Sequence, residues 1–177
     1  MPIEQSKRPI AAARLAALAG SLLDASPLCA IATVSPGEQA YVNTAYFAWS
    51  PRFDVVWLSE PHARHSRNIA ANATVAIAVF DSDQAWGDAD RGIQLFGSAR
   101  MTEGATAREA ARVYKVRFPA YEQEEVSAYR LYRFRPRRLK LFDELELGTG
   151  VFVTARVAGG GGRLLWERTD VYRAQAG

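Results

Sequence analysis

The chain has 177 residues, enough for one domain with a sizeable core, and its 49% hydrophobic and 23% charged residues are ordinary for a globular protein. A net charge of +3 is too small to argue for a nucleic-acid partner, though it suits a small anionic ligand. A single cysteine, Cys29, excludes an internal disulfide framework and a cysteine metal cluster, and no apolar run approaches the roughly 18 residues needed to cross a bilayer, so the cytoplasm is the default compartment.

Taken in chain order, residues 8–24 carry Ile10, Leu15, Leu18 and Leu22 at helical spacing among alanines, which predicts an N-terminal helix. Asp24 and the interspersed arginines oppose a signal peptide. Residues 28–35, LCAIATVS, read as a short apolar strand that ends in a Ser-Pro-Gly turn. Residues 39–50, QAYVNTAYFAWS, return as its hairpin partner, and 54–59 form a third strand after the turn at Pro51. A helix over 62–71 follows, with Pro61 in its first turn and its end near Asn72. Val75, Ile77 and Val79 alternate with alanines, so 74–81 is a strand.

The segment 82–91 is a polar loop holding Trp86 and Gly87, and 92–101 is a strand with a bulge at Gly97. Residues 106–117 predict a helix and 122–128 a short second one. Residues 129–142 alternate apolar and basic side chains, and Pro136 splits them into a pair of edge-capable strands. Residues 151–157 and 163–168 close the chain as a hairpin around the glycines at 159–162. Strands joined by short turns, with few helices between them, predict a mainly β architecture with peripheral helices. The expectation is an antiparallel barrel, one domain over 1–177, with the helix at about 8–24 and the barrel at about 28–168.

The chemistry concentrates at the junction of the third strand and the second helix, WLSEPHARHSRNIAAN over 57–72. His62, Arg64, His65 and Arg67 crowd a helix start, where the unpaired N–H groups already carry about half a positive charge. An anion such as a phosphate turns that cost into a gain, while a solvated surface helix with its arginines in water fits the same pattern. Any Ser-His-Asp or Cys-His site would have to use His62 or His65, since the chain has only two histidines, and the pair lacks a third ligand for a metal. Asp81, Asp83, Asp88 and Asp90 lack the glycine-centred spacing and closing glutamate of a calcium loop. The basic run Arg130, Arg133, Arg135, Arg137, Arg138 and Lys140 suits either an anionic ligand or the outer face of an amphipathic strand. Trp49 and Trp57 suit core or interface packing, and Trp86, in a polar loop, suits a ligand contact.

Four stretches together resemble the FMN-binding split-barrel proteins related to pyridoxamine 5′-phosphate oxidase: LCAIATVS, YVNTAYFAW over 41–49, VVWLSEPHARHSRNIAANATVAIAVFD over 55–81 and RGIQLFGSARM over 91–101. The resemblance spans about residues 10–145 and implies a Greek-key split barrel, homodimeric, with FMN at the interface. It matches Leu58 and Ser59 to the strand end that meets the ribityl chain and phosphate, and Arg64 to the phosphate-binding arginine, with Arg67 beside it. His65 stands where the oxidase usually has lysine. Asn72 matches the asparagine that ends the helix. Val42, Asn43 and Thr44 fall on the strand that edges the flavin ring, Gln94 on the strand whose glutamine reaches it, and Trp86 on a loop contributed across the interface.

The oxidase's C-terminal Arg-x-His signature has no counterpart in LFDELELGT over 141–149, which implies a substrate other than pyridoxamine phosphate. The resemblance therefore implies an FMN-dependent oxidoreductase acting on an unidentified small molecule, with neither a catalytic side chain nor a metal assigned and no nucleic-acid or membrane partner. A deazaflavin-dependent reductase and a non-catalytic flavin- or haem-binding protein are the alternatives.

Overall fold

The computed structural model describes residues 3–6, 8–81, 83–122 and 128–172. In chain order the elements are β1 (Ile3–Ser6), α1 (Ala12–Asp24), β2 (Leu28–Val34), β3 (Ala40–Trp49), β4 (Val55–Ser59), α2 (Arg64–Ala71) and β5 (Thr74–Phe80). They continue with β6 (Arg91–Met101), α3 (Gly104–Arg117), β7 (Arg130–Asp143), α4 (Glu144–Leu147), β8 (Val151–Ala158) and β9 (Arg163–Tyr172). The strands hydrogen-bond in the order β1-β9-β8-β7-β4-β3-β2-β5-β6, and β6 pairs again with β7. That second pairing closes β2 to β7 into a six-stranded antiparallel barrel, as the run of short-linked strands predicts.

The chain divides into two compact units. One comprises Met1–Ser26, Ala78–Leu95 and Arg137–Gly177. Here the stripe Leu15, Leu18 and Leu22 of α1 is buried and packs on β9, for the reason its helical spacing gives: one apolar face needs one apolar partner. Asp143, 1% exposed, is tied at both oxygens. Arg91 Nε donates to its Oδ2 at 3.0 Å, while the N–H groups of Leu145 and Glu146 donate to its Oδ1 at 3.1 and 3.3 Å and start α4.

The other unit comprises Pro27–Ile77 and Phe96–Pro136. Its β2–β3 ladder runs from Leu28↔Tyr46 to Val34↔Ala40, and α3 packs on β3 and β4 through Ala48, Val56, Ala110 and Tyr114. Trp57 is fully buried and stacks on Tyr132 at 5.7 Å. Gly97 lies hard against β7: a Cβ there would sit 2.0 Å from the carbonyl oxygen of Arg135. Only glycine permits that approach of one backbone to another.

Several boundaries differ from those expected. α1 begins at Ala12 rather than near residue 8, and residues 3–6 form a strand on β9 that the alanine-rich reading passed over. Residues 129–142 are one strand, not two. Pro136 falls where β7 changes partner, from β4 over Arg130 to Phe134 to β8 over Arg138 to Phe142, so neither ladder needs its missing N–H. α2 starts at Arg64, with Glu60, Pro61 and His62 in the preceding turn, so Pro61 precedes the helix instead of occupying its first turn. Ala63 carries the extended backbone of the N-cap position. The short helix expected over 122–128 falls largely outside the described residues.

Candidate functional site

Strand β4 alternates its side chains between two environments. Val56 and Leu58 face the cluster beneath α3, and Val55, Trp57 and Ser59 point the other way. Ser59 therefore arrives at the end of its strand, 4% exposed, beside the helix that follows. Its hydroxyl oxygen shares hydrogen bonds with His65 Nε2 at 2.5 Å and with Ser66 Oγ at 3.1 Å, and lies 3.4 Å from the Glu60 carbonyl oxygen. Burial lowers the pKa of His65 below the ordinary imidazole value, so the ring is neutral at pH 7.

Helix α2 is held from below by its polar residues. Asn68, 2% exposed, donates through Nδ2 to Thr33 Oγ1 on β2 at 3.0 Å. Its upper face carries Arg64 and Arg67, both exposed and one turn apart. The Arg64 guanidinium lies 4.7 Å from the centre of the Tyr41 ring on β3, a cation–π contact that aligns it over that strand. The helix start has no capping side chain and no acid in its first turn. Among the described residues neither Arg64 nor Arg67 has a carboxylate partner, whereas Arg133 pairs with Glu109 at 3.0 Å and Arg138 with Glu167 at 2.7 Å. Arg133 and Arg138 of the basic run thus have acids of their own, and among the described residues Arg64 and Arg67 do not.

Strand β3 adds a third component. It pairs with β4 only from Phe47 to Trp49 and with β2 from Ala40 to Tyr46, so over residues 40–46 the edge toward β4 carries no ladder. Asn43 shares the face of β3 that bears Tyr41, and its Oδ1 is buried without a hydrogen-bond partner. Val42 and Thr44 lie on the opposite face, where Val42 is 67% exposed. A buried unsatisfied acceptor is uncommon and calls for a partner.

The structure thus brings Ser59, Arg64, His65 and Arg67 to one end of β4, with Asn43 and Tyr41 on the strand that Arg64 overlies. Leu58 turns its side chain into the apolar cluster, leaving only its backbone at the site. Gln94, exposed on β6, and Trp86, fully exposed in its loop, belong to the other compact unit. Tyr41, Ser66 and Asn68 were missed from the sequence. Asn72, matched there to the helix end, is an exposed C-cap whose Oδ1 accepts from the Thr74 N–H at 3.0 Å, while Asn68 is the buried asparagine. The signal was present: Ser66 and Asn68 are poor residues for a helix interior, which their partners explain. A cleft of about 500 Å³ opens on another side of α2, lined by Pro61, Ser66, Ile69, Ala70, Arg100 and Tyr132, and it contains neither Arg64 nor His65.

The family model for pyridoxamine 5′-phosphate oxidase matches residues 17–143, most of the chain and all six barrel strands. This chain belongs to the pyridoxamine 5′-phosphate oxidase family. Solved structures agree at the level of the fold. A haem-binding protein from Mycobacterium smegmatis superposes with a TM-score of 0.66 at 18% identity, over 85% of this chain and 60% of that one. The chain therefore spans about 60% of that protein's length. The haem storage protein HutZ of Vibrio cholerae gives 0.54 at 19% identity, over 71% and 94% of the two chains. A Clostridium acetobutylicum protein of the pyridoxinephosphate oxidase family, related to a general stress protein, gives 0.59 at 9%, over 81% and 95%. No curated protein matches the chain. The family fold thus occurs in proteins named for haem as well as for oxidase chemistry. No helix among the described residues is long and apolar enough to cross a membrane.

Proposed function

We propose that this member of the family is a homodimeric FMN-binding protein that performs flavin-mediated redox chemistry on a small-molecule substrate. The observation that carries the reading is the pair Arg64 and Arg67 at an uncapped helix start, without a carboxylate among the described residues. An anionic phosphate supplies what that end lacks, both in charge and in acceptors for the first amides. Ser59 and His65 add two further polar groups at the same end.

The rest of the cofactor also finds matching groups. Asn43 Oδ1 is a buried acceptor that suits the N–H on the pyrimidine edge of an isoalloxazine ring, and the open edge of β3 offers backbone donors and acceptors alongside. When bound, FMN supplies the electron-transferring ring itself. The protein's part is to hold the phosphate with Arg64, Arg67 and His65 and to orient the ring along β3. No dedicated side-chain nucleophile is required. Residues 141–149, where the oxidase signature is missing, form the end of β7 and α4, with Asp143 engaged in capping, so pyridoxamine phosphate is not the proposed substrate.

The dimer reading is supported by the other face of the hairpin. Leu28, Ala30 and Ala32 on β2 lie opposite Tyr46, Thr44 and Val42 on β3, an outward surface without a charge on it. Val42 is 67% exposed and Tyr46 58%, and an apolar surface of this kind supports an interface there. A second reading, haem binding, draws support from the two neighbours named for haem. The exposed His62 gives it an axial-ligand candidate. A deazaflavin would use the same phosphate grip.

Titrating the purified protein with FMN, riboflavin, a deazaflavin and haem separates these readings by absorbance. The expected result is shifted flavin bands with FMN bound more tightly than riboflavin. Equal affinity for FMN and riboflavin, or a Soret band with no flavin binding, overturns the proposal.

A further inference from the structure

We propose that His65 makes binding at this site proton-linked: the ring takes up a proton as the dianionic phosphate of the ligand enters, so affinity for phosphorylated ligands, and for those alone, falls as pH rises through neutrality. The inference rests on the phosphate reading given above and adds a regulatory property to it.

The geometry allows both states of the ring. A serine hydroxyl has one hydrogen and two lone pairs. With His65 neutral, the Ser59 hydroxyl can donate to Nε2. With His65 protonated, Nε2–H donates to Ser59 Oγ, whose own hydrogen turns to Ser66 Oγ at 3.1 Å or to the Glu60 carbonyl oxygen at 3.4 Å. No bond in the network is lost, and Nδ1 carries a hydrogen in either state. Charging the ring therefore costs no hydrogen bond, and burial holds its pKa below the ordinary imidazole value.

The groups around it leave the proton without a counter-charge. Glu60 and His62 lie in the preceding turn, and Arg64 and Arg67 on the helix itself. Strand β3 contributes Tyr41 beneath Arg64, and β2 contributes Thr33, which is bonded to Asn68. Strand β7 places Arg130 opposite Ser59 in the ladder, and β6 brings Arg100 to the cleft that Ser66 lines. Glu60 is the only acid in this set, and it is exposed. A phosphate is the group that would make the imidazolium favourable.

The sign follows from linkage. Without ligand the His65 pKa lies below the ordinary imidazole value, and with a phosphate beside it the pKa rises. Between the two values each binding event takes up a proton, and affinity falls by up to about tenfold per pH unit as pH increases. Below the lower value the ring is already charged, and above the upper value it stays neutral, so the dependence flattens at both ends. The phosphate's own second ionisation lies near pH 6, so the clean window is above about pH 6.5.

The test is fluorescence titration of the full chain with FMN and riboflavin from about pH 6.5 to 8.5, for wild type, His65→Gln and His65→Lys. For wild type, FMN affinity should fall with pH and converge on that of His65→Gln. The His65→Lys protein should stay tight and nearly flat, and riboflavin should be flat throughout. Calorimetry in buffers of different ionisation enthalpy should show proton uptake by wild type that His65→Gln lacks. FMN binding whose pH profile parallels that of His65→Gln, without excess proton uptake, overturns this inference and leaves the phosphate grip standing. FMN binding to none of the three proteins at any pH overturns both.

Discussion

Replacing Arg64 by alanine isolates the phosphate grip from the fold. The guanidinium is exposed and touches the rest of the protein through the Tyr41 ring, a contact worth about 0.5–1 kcal/mol at such a site. Against that loss, alanine is a slightly better helix former and removes a cation from a helix N-terminus, each worth a few tenths of a kcal/mol. The unliganded variant should therefore melt within a degree or two of wild type. A charge-assisted hydrogen bond to phosphate is worth about 1.5–3 kcal/mol, which converts to a roughly 12- to 150-fold loss of FMN affinity. Solvent screening at an exposed arginine favours the lower half of that range, and the loss should shrink further as salt is raised. Riboflavin shares the ring and lacks the phosphate, so its affinity should not change. Flavin fluorescence quenching at two salt concentrations measures all of this. An unchanged FMN affinity, or equal losses for FMN and riboflavin, would refute the assignment of Arg64 to the phosphate.

Three further outcomes test the fold that supports the site. Gly97→Ala forces a Cβ to 2.0 Å from the Arg135 carbonyl oxygen, so one backbone must move; a loss of at least about 1–3 kcal/mol in urea unfolding is expected. Asp143→Ala strips a nearly fully buried carboxylate from Arg91 and from the start of α4, and should cost about 2–4 kcal/mol by the same measurement, Arg91 being partly solvated. The Cys29 thiol, pushed up to about 12 by burial, should be inert to a disulfide reagent at pH 8 in the native protein and react only on unfolding.

The supporting elements and the site differ in how far local sequence could locate them. Period-2 alternation found β5 within a residue, because Val75, Ile77 and Val79 need burial on one side only, and helical spacing found the stripe of α1. The strand through Pro136 could not be found that way. Proline usually breaks a ladder, and here it falls between the residues that pair with β4 and those that pair with β8. Gly97 likewise reads as a bulge in sequence, while its tertiary reason is a backbone lying against it.

By itself the sequence determined a mainly β chain with short turns, and a knot of cations between the third strand and its helix, because spacing and charge are local properties. Tertiary structure alone decided which cations remain without an acid. Arg133 and Arg138 look as available as Arg64 in the sequence, yet folding brings Glu109 and Glu167 to them and brings Tyr41 to Arg64. It also decided that Asn43 keeps a buried oxygen unpaired, on the stretch of β3 that has parted from β4. Pairing between residues far apart in the chain depends on how the backbone returns, and no local pattern encodes that.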